Sequence, residues 1–226
     1  METTLHRQLK EHYARRGGQL EVRLGRYRID VVAGDELVEI QHGSLAAIRD
    51  KVQRLLQSHC VRVVKPIVVR KQLMRRPCGN RTLPIRRLSP KRGTLLDLFD
   101  NLVYFTRVFP HPNLVLEVPL VEIEEWRCPG HGRRRRRRAS DYQIEDQVLT
   151  SIQATHRFRR ARDLLRIMPA SLPVPFHTGQ LAESLSVSRW TAQRIAYCLR
   201  HAGAAVPVGR LGNARLYAWL GKKARP

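Results

Sequence analysis

Residues 19–41 read QLEVRLGRYRIDVVAGDELVEIQ, three runs of alternating apolar and polar side chains separated by short turns. Leu20, Val22 and Leu24 alternate with Glu21 and Arg23, and Tyr27, Ile29 and Val31 alternate with Arg28 and Asp30. A period of two is the mark of a half-buried strand. Gly25-Arg26 and Ala33-Gly34-Asp35 are tight turns that fold each run back on the one before. Leu37 to Gln41 forms the third strand and sets Glu39 and Gln41 on one face. Asp30 lies nine residues before Glu39. Neighbouring antiparallel strands bring two such carboxylates within reach of one divalent cation, and hard oxygen ligands with few protein donors suit Mg²⁺. A cation held there polarises a phosphate and lowers the pKa of an attacking water. The alternative reading makes the same residues solvated strand positions, or ion-pair partners of Arg28 and Arg23.

Outward from this stretch the pattern is helical on both sides. Thr3 or Thr4 caps a helix carrying Leu5, Leu9 and Tyr13 on one face, which Gly17-Gly18 ends. Gly43-Ser44 leads into a second helix from about Leu45 to Ser58, and Val61 to Val69 is a nearly unbroken apolar strand suited to burial on both faces. The order is helix, three strands, helix, strand.

On these residues the segment 1–70 resembles the PD-(D/E)xK, or restriction-endonuclease-like, nuclease superfamily. Asp30 matches the family's first acid and Glu39-Ile40-Gln41 its (D/E)xK element, with Ile29 in place of the motif's proline and Gln41 in place of its lysine. The resemblance implies phosphodiester hydrolysis with Mg²⁺ or Mn²⁺ held by Asp30, Glu39 and the Ile40 carbonyl, and with Gln41 placing water. It also implies a further acid, with Glu21 the first choice and Glu2, Glu11 or His6 standing on the first helix. Lys51 and Arg54 would be phosphate contacts if their helix lines the cleft. Nucleases of this fold often pair two sites, so a homodimer is compatible with it. The substitution of Gln41 for lysine favours a second reading, a regulator or architectural DNA-binding protein built on a nuclease fold that has lost catalysis.

Past residue 73 the signals change. Pro77, Gly79, Pro84, Pro90 and Gly93 mark loops, Leu95 to Val108 reads as a helix, and Leu114 to Trp126 as a strand extending the sheet. Six consecutive arginines, Arg133 to Arg138, make 129–140 a linker after a nuclease-like domain at 1–128. Cys128 and His131 have the spacing of half a zinc site, but without a second pair an ordinary loop is the better reading, and the four widely spaced cysteines are expected as free thiols. From 141 to 226 the sequence predicts a mainly α domain: helices over 141–156 and 163–168, a proline-rich connector, then a helix capped at Thr178, the turn Ser186-Val187-Ser188, a longer helix Arg189 to His201, and a hairpin. The last part resembles a winged helix-turn-helix over about 176–220. In that arrangement the longer helix meets the major groove and the hairpin the adjacent backbone. Arg189, Trp190, Gln193, Arg194, Arg200, Arg210 and Arg215 are the candidate DNA contacts; a winged helix that packs only on protein is the alternative.

The 226-residue chain carries 42 Lys and Arg against 19 acids, a net +23. The excess is distributed, with +6 over 1–73, +9 over 74–140 and +8 over 141–226. Such a field attracts a polyanion and releases its counterions. Duplex or branched DNA is the expected partner and RNA the alternative; no small-molecule cofactor is called for. No apolar run has the length of a membrane span, and the charged start METTLHRQLKEHYARR is unlike an export signal, so a cytoplasmic, nucleoid-associated protein is expected.

Overall fold

The computed structural model describes residues 2–15, 17–75, 85–129 and 142–220. Helix α1 (Thr4–Ala14) is capped by Thr3, whose hydroxyl accepts from the His6 N–H at 3.4 Å, and its apolar side chains Leu5 and Leu9 are fully buried. Strands β1 (Gln19–Leu24), β2 (Tyr27–Ala33) and β3 (Glu36–Ile40) follow as an antiparallel meander. Ile29, Val31, Val38 and Ile40 are buried as the alternation requires, but Leu20 is 46% exposed. The reason is topological: β1 is the edge strand, so its face is only partly covered.

The second helix is shorter and tighter than expected, a 3₁₀ turn at Leu45–Ile48 running into α2 (Arg49–Leu55). The single strand expected over 61–69 is two, β4 (Cys60–Val64) and β5 (Ile67–Arg75), because Pro66 lacks the N–H that would continue the ladder. Then come β6 (Ile85–Leu88), a 3₁₀ turn at Leu95–Asp97, α3 (Leu98–Leu102) and the long strand β7 (Leu114–Pro129). Next is β8 (Tyr142–Phe158), where the sequence predicted a helix over 141–156. Eight strands form one mixed sheet in the order β1-β2-β3-β4-β7-β5-β6, with β8 paired to β7; β5 runs parallel to β7.

The chain ends with a 3₁₀ segment at Ala161–Ile167, α4 (Thr178–Leu185), α5 (Arg189–His201) and the hairpin of β9 (Ala205–Leu211) and β10 (Ala214–Trp219). The expectation of a mainly α winged-helix domain from 141 onward is overturned. Strand accounts for 42% and helix for 30% of the described residues, and β8 puts 17 residues of the supposed helical domain into the large sheet.

Two compact units divide the chain discontinuously. The first is Met1–His42, Val64–Thr94 and Val118–His156; the second is Gly43–Val63, Leu95–Glu117 and Arg157–Pro226. In the first, Leu5, Leu9, Val31, Val38, Ile40, Val64, Val121 and Ile123 form one apolar core. Helix α1 also fastens β8: the Thr4 N–H donates to Asp146 at 2.8 Å, and the Leu149 N–H donates to the Gln8 amide oxygen at 2.7 Å. The second unit has its own aromatic core, in which Phe176 lies 4.6 Å from Trp219 and 5.8 Å from Tyr217 between ring centroids. The arginine run and His131 lie outside the described residues. Cys60, Cys128 and Cys198 are free thiols. No helix among the described residues is long and apolar enough to cross a membrane.

Candidate functional site

The strand register fixes where the carboxylates stand. Leu20 pairs with Val31 and Val22 with Ile29, so Glu21 on β1 falls opposite Asp30 on β2. Val31 pairs with Val38, and one step further along both strands are Asp30 and Glu39. Glu21, Asp30 and Glu39 therefore occupy one row across three neighbouring strands, all in the first unit. The row is also where the sheet departs from regularity. Glu21 has φ 57°, a left-handed conformation uncommon for a side chain of its kind. An Asp30 carboxylate oxygen accepts the Ile40 N–H at 2.8 Å, taking a place that a backbone carbonyl fills in an unbroken ladder. That bond pins Asp30 to the peptide joining Glu39 and Ile40.

Helix α1 lines the row with His6 and Lys10, four residues apart and so on one face, and Glu2, two residues before the helix begins, joins them. His6 Nε2 is 3.3 Å from Asp30 and 3.9 Å from Glu2. Lys10, only 5% exposed, bridges Glu2 at 2.5 Å and Glu21, and Glu21 also binds Arg28. Burial pushes the Lys10 ammonium down, but the hydrogen bonds it donates to Glu2 and Glu21 outweigh this and its pKa lies above the ordinary value. The same bonds, from Lys10 first and then Arg28, hold the Glu21 carboxyl below its usual range. Glu39 is nearly buried and Gln41 half-buried.

Three features of this region were not singled out in the sequence. Lys65, at the break between β4 and β5, is buried and donates to the His42 carbonyl at 2.6 Å, one residue beyond Gln41. Burial pushes its ammonium down to about 8. His42 itself is lowered by burial and then by the charges of Lys65 and Lys71. Glu125 on β7 is 1% exposed and accepts from Lys71 at 2.5 Å, from Arg127 at 2.6 and 2.8 Å and from Gln147 at 3.0 Å. Burial raises its carboxyl, yet these donors hold it below the usual range. Only the position of Lys65 before a strand-breaking proline hinted at any of this in the sequence.

Of the residues named from sequence, Glu2, His6, Glu21, Asp30, Glu39, Ile40 and Gln41 share this region. Glu11 does not: it is exposed and faces Arg7 at 3.9 Å. Lys51 and Arg54 belong to α2, in the second unit. Asp30, Glu39 and the Ile40 carbonyl carry hard oxygen, the donor type that Mg²⁺ and Mn²⁺ prefer. No group of three or more His, Cys, Asp or Glu side chains suited to a metal occurs among the described residues.

The second unit holds the residues named as DNA contacts. Arg189, Trp190, Gln193, Arg210 and Arg215 are exposed and Arg200 is half-buried. Arg194 is otherwise engaged: it pairs with Asp100 of α3, and its guanidinium lies 3.5 Å from the Trp190 ring centroid. The inner face of α5 is Ala192, Ile195, Ala196, Cys198 and Leu199, all buried. Cys198 Sγ donates to the Phe99 carbonyl at 3.7 Å, and burial pushes its thiol up to about 12.

Residues 3–159 match the family model described as a domain of unknown function, DUF8091. The match ends with β8, so α4, α5 and the hairpin follow it in the chain. An uncharacterized protein of Treponema pallidum (strain Nichols) is 30% identical over 220 residues, covering 96% of this chain and 84% of that protein. No solved structure matches the chain.

Proposed function

The chain belongs to the family of the domain of unknown function DUF8091, and we propose that it is a metal-dependent DNA nuclease of cytoplasmic, nucleoid-associated location. The observation that carries this reading is the row Glu21–Asp30–Glu39, with Asp30 hydrogen-bonded across to Ile40 N–H at 2.8 Å. A carboxylate inserted into a ladder and held beside a second carboxylate is an arrangement with no need in a purely structural sheet. Strained or displaced backbone tends to collect at sites of function.

Asp30, Glu39 and the Ile40 carbonyl would hold Mg²⁺ or Mn²⁺, and the ion would supply charge neutralisation of the scissile phosphate and a water of lowered pKa. Gln41 orients water through its amide. Gln41 cannot supply positive charge, but Lys65 can, from the break between β4 and β5, where its ammonium donates to the carbonyl of His42, the residue after Gln41. Lys10 and Arg28 hold Glu21, which acts as a positioning residue at the irregular backbone of β1. The exposed arginines of α5 and the hairpin supply affinity for the DNA backbone.

A second reading, a DNA-binding regulator without catalysis, is favoured by one observation: the carboxylates are occupied by the chain's own cations and donors, Glu21 by Lys10 and Arg28, Asp30 by His6 and Ile40 N–H. Cleavage of supercoiled plasmid and branched DNA by wild type, Asp30→Ala and Glu39→Ala, with Mg²⁺, Mn²⁺ or EDTA, separates the two. Metal-dependent nicking is expected in wild type and is expected to be lost in both variants while their DNA binding persists. Binding with no cleavage under any metal would leave the regulator. Competition among duplex DNA, single-stranded DNA and RNA of the same sequence tests the choice of nucleic acid.

A further inference from the structure

Two large aromatic side chains stand in solvent on α5: Trp190 is 66% exposed and Tyr197 is 40% exposed. They are seven residues apart, two turns of helix, so they lie on the same side with about 10 Å between their positions along the axis. Each is backed by a partner one turn later. Arg194 covers Trp190 at 3.5 Å from the ring centroid, and His201 lies against Tyr197 with centroids 4.1 Å apart and planes 35° from parallel. Arg194 is in turn tied to Asp100 of α3, in the same unit, and its side chain is 15% exposed. The clamp leaves an aromatic face held in one orientation and open to water, an arrangement that costs free energy unless something stacks on it.

The chemistry around this stripe selects the partner. From residue 184 to the end the chain has eight Lys or Arg and no Asp or Glu. Flat apolar rings set in a field of positive charge suit a ligand with flat rings on a polyanionic backbone. Within a duplex the edges of the bases are accessible but their faces are covered by neighbouring pairs. Reading edges calls for forked donors, and Arg194, the fork at the centre of the helix, is committed to Asp100. Faces are open only where bases are unpaired, and stacking on aromatic side chains is how unpaired strands are held.

From this geometry we infer that α5 binds unpaired nucleotides of single-stranded DNA, stacking bases on Trp190 and Tyr197 while the flanking arginines take the phosphates. The inference rests on the DNA-binding part of the proposed function and not on its nuclease part. It makes the substrate a branched, frayed or single-stranded DNA in preference to an intact duplex.

The test uses the full chain in EDTA, so that cleavage plays no part, with fluorescently labelled oligo(dT) and a blunt duplex of equal length. Oligo(dT) is expected to bind more tightly than duplex and to quench the protein's tryptophan fluorescence, a quench lost in Trp190→Phe. Trp190→Ala and Tyr197→Ala are each expected to weaken oligo(dT) binding on the order of 10-fold, with a much smaller loss on duplex and the thermal midpoint preserved. Trp190→Phe keeps a stacking surface and is expected to retain most of the affinity. Tighter binding to duplex, or equal losses on both ligands, would overturn the inference and leave the DNA-binding reading standing. Binding to neither ligand would overturn both.

Discussion

At Lys65 burial and charge oppose one another. The ammonium is 5% exposed and burial lowers its pKa to about 8. Between about 8 and the ordinary 10.5 the unfolded chain holds a proton that the folded one has released, so this group makes stability rise with pH across that window and its full penalty is present below it. Lys10 has the opposite sign. Its raised value means a stabilisation fully present below 10.5 and lost as pH climbs through the folded pKa. Melting curves of Lys65→Met against wild type between neutral and alkaline pH should show the rise with pH disappear in the variant. Cleavage carries a separate signature: if the ammonium neutralises the phosphate, activity falls above about 8 in wild type. In Lys65→Arg the charge persists and the alkaline limb moves up. A profile identical in the two proteins would remove Lys65 from the reaction. None of this was legible in the sequence, where Lys65 is a basic residue before a proline and its partner, His42, is 23 residues away. Asp30 and Glu39 were legible because alternation and turn length alone fix their relation.

The elements were readable to the extent that their signals are local. Helix α5 starts at Ser188, whose hydroxyl accepts the Thr191 N–H at 3.1 Å, and its buried positions follow the helical period. Helix α4 has a less ordinary start. Its cap is His177 and not Thr178: the ring Nδ1 accepts the N–H groups of Gly179 at 3.0 Å and Gln180 at 3.3 Å, and the Gln180 side chain accepts the His177 N–H at 3.0 Å. His177→Ala leaves those donors to water and should lower stability by about 1 kcal/mol, while His177→Asn, a good cap, should hold it near wild type; urea unfolding compares them. Strand β8 was misread because Ile144, Val148 and Ile152 recur every four residues, as on a helix face. In the fold Ile144 is 50% exposed, and the residue buried deepest in that stretch is Gln147, paired with Glu125. Its β-branched side chains favour a strand, and the partner that completes one is β7. Pairing with a neighbouring strand leaves no period in a strand's own sequence to read.

Across the whole chain the charge of +23 is legible from composition, but its use is not. Several of the basic side chains are consumed inside the fold: Lys10 by Glu2 and Glu21, Lys71 and Arg127 by Glu125, Arg194 by Asp100, Arg157 by Glu117. The cations that reach a phosphate are therefore fewer than the net charge suggests. Arg189, Arg210 and Arg215, exposed on α5 and the hairpin, are among those that remain. Counterion release makes the distinction measurable, because each phosphate neutralised adds roughly 0.9 to the slope of log affinity against log salt on duplex DNA and roughly 0.7 on a single strand. Titrations over a range of salt should give a slope well below what +23 would produce if every charge were engaged. Arg189→Ala, Arg210→Ala and Arg215→Ala should each reduce the slope by about one contact, whereas Arg157→Ala, bonded to Glu117 at 2.6 Å, should leave it unchanged. A slope unaffected by the three exposed arginines would move the DNA surface away from α5 and the hairpin, and with it the role assigned to Trp190 and Tyr197.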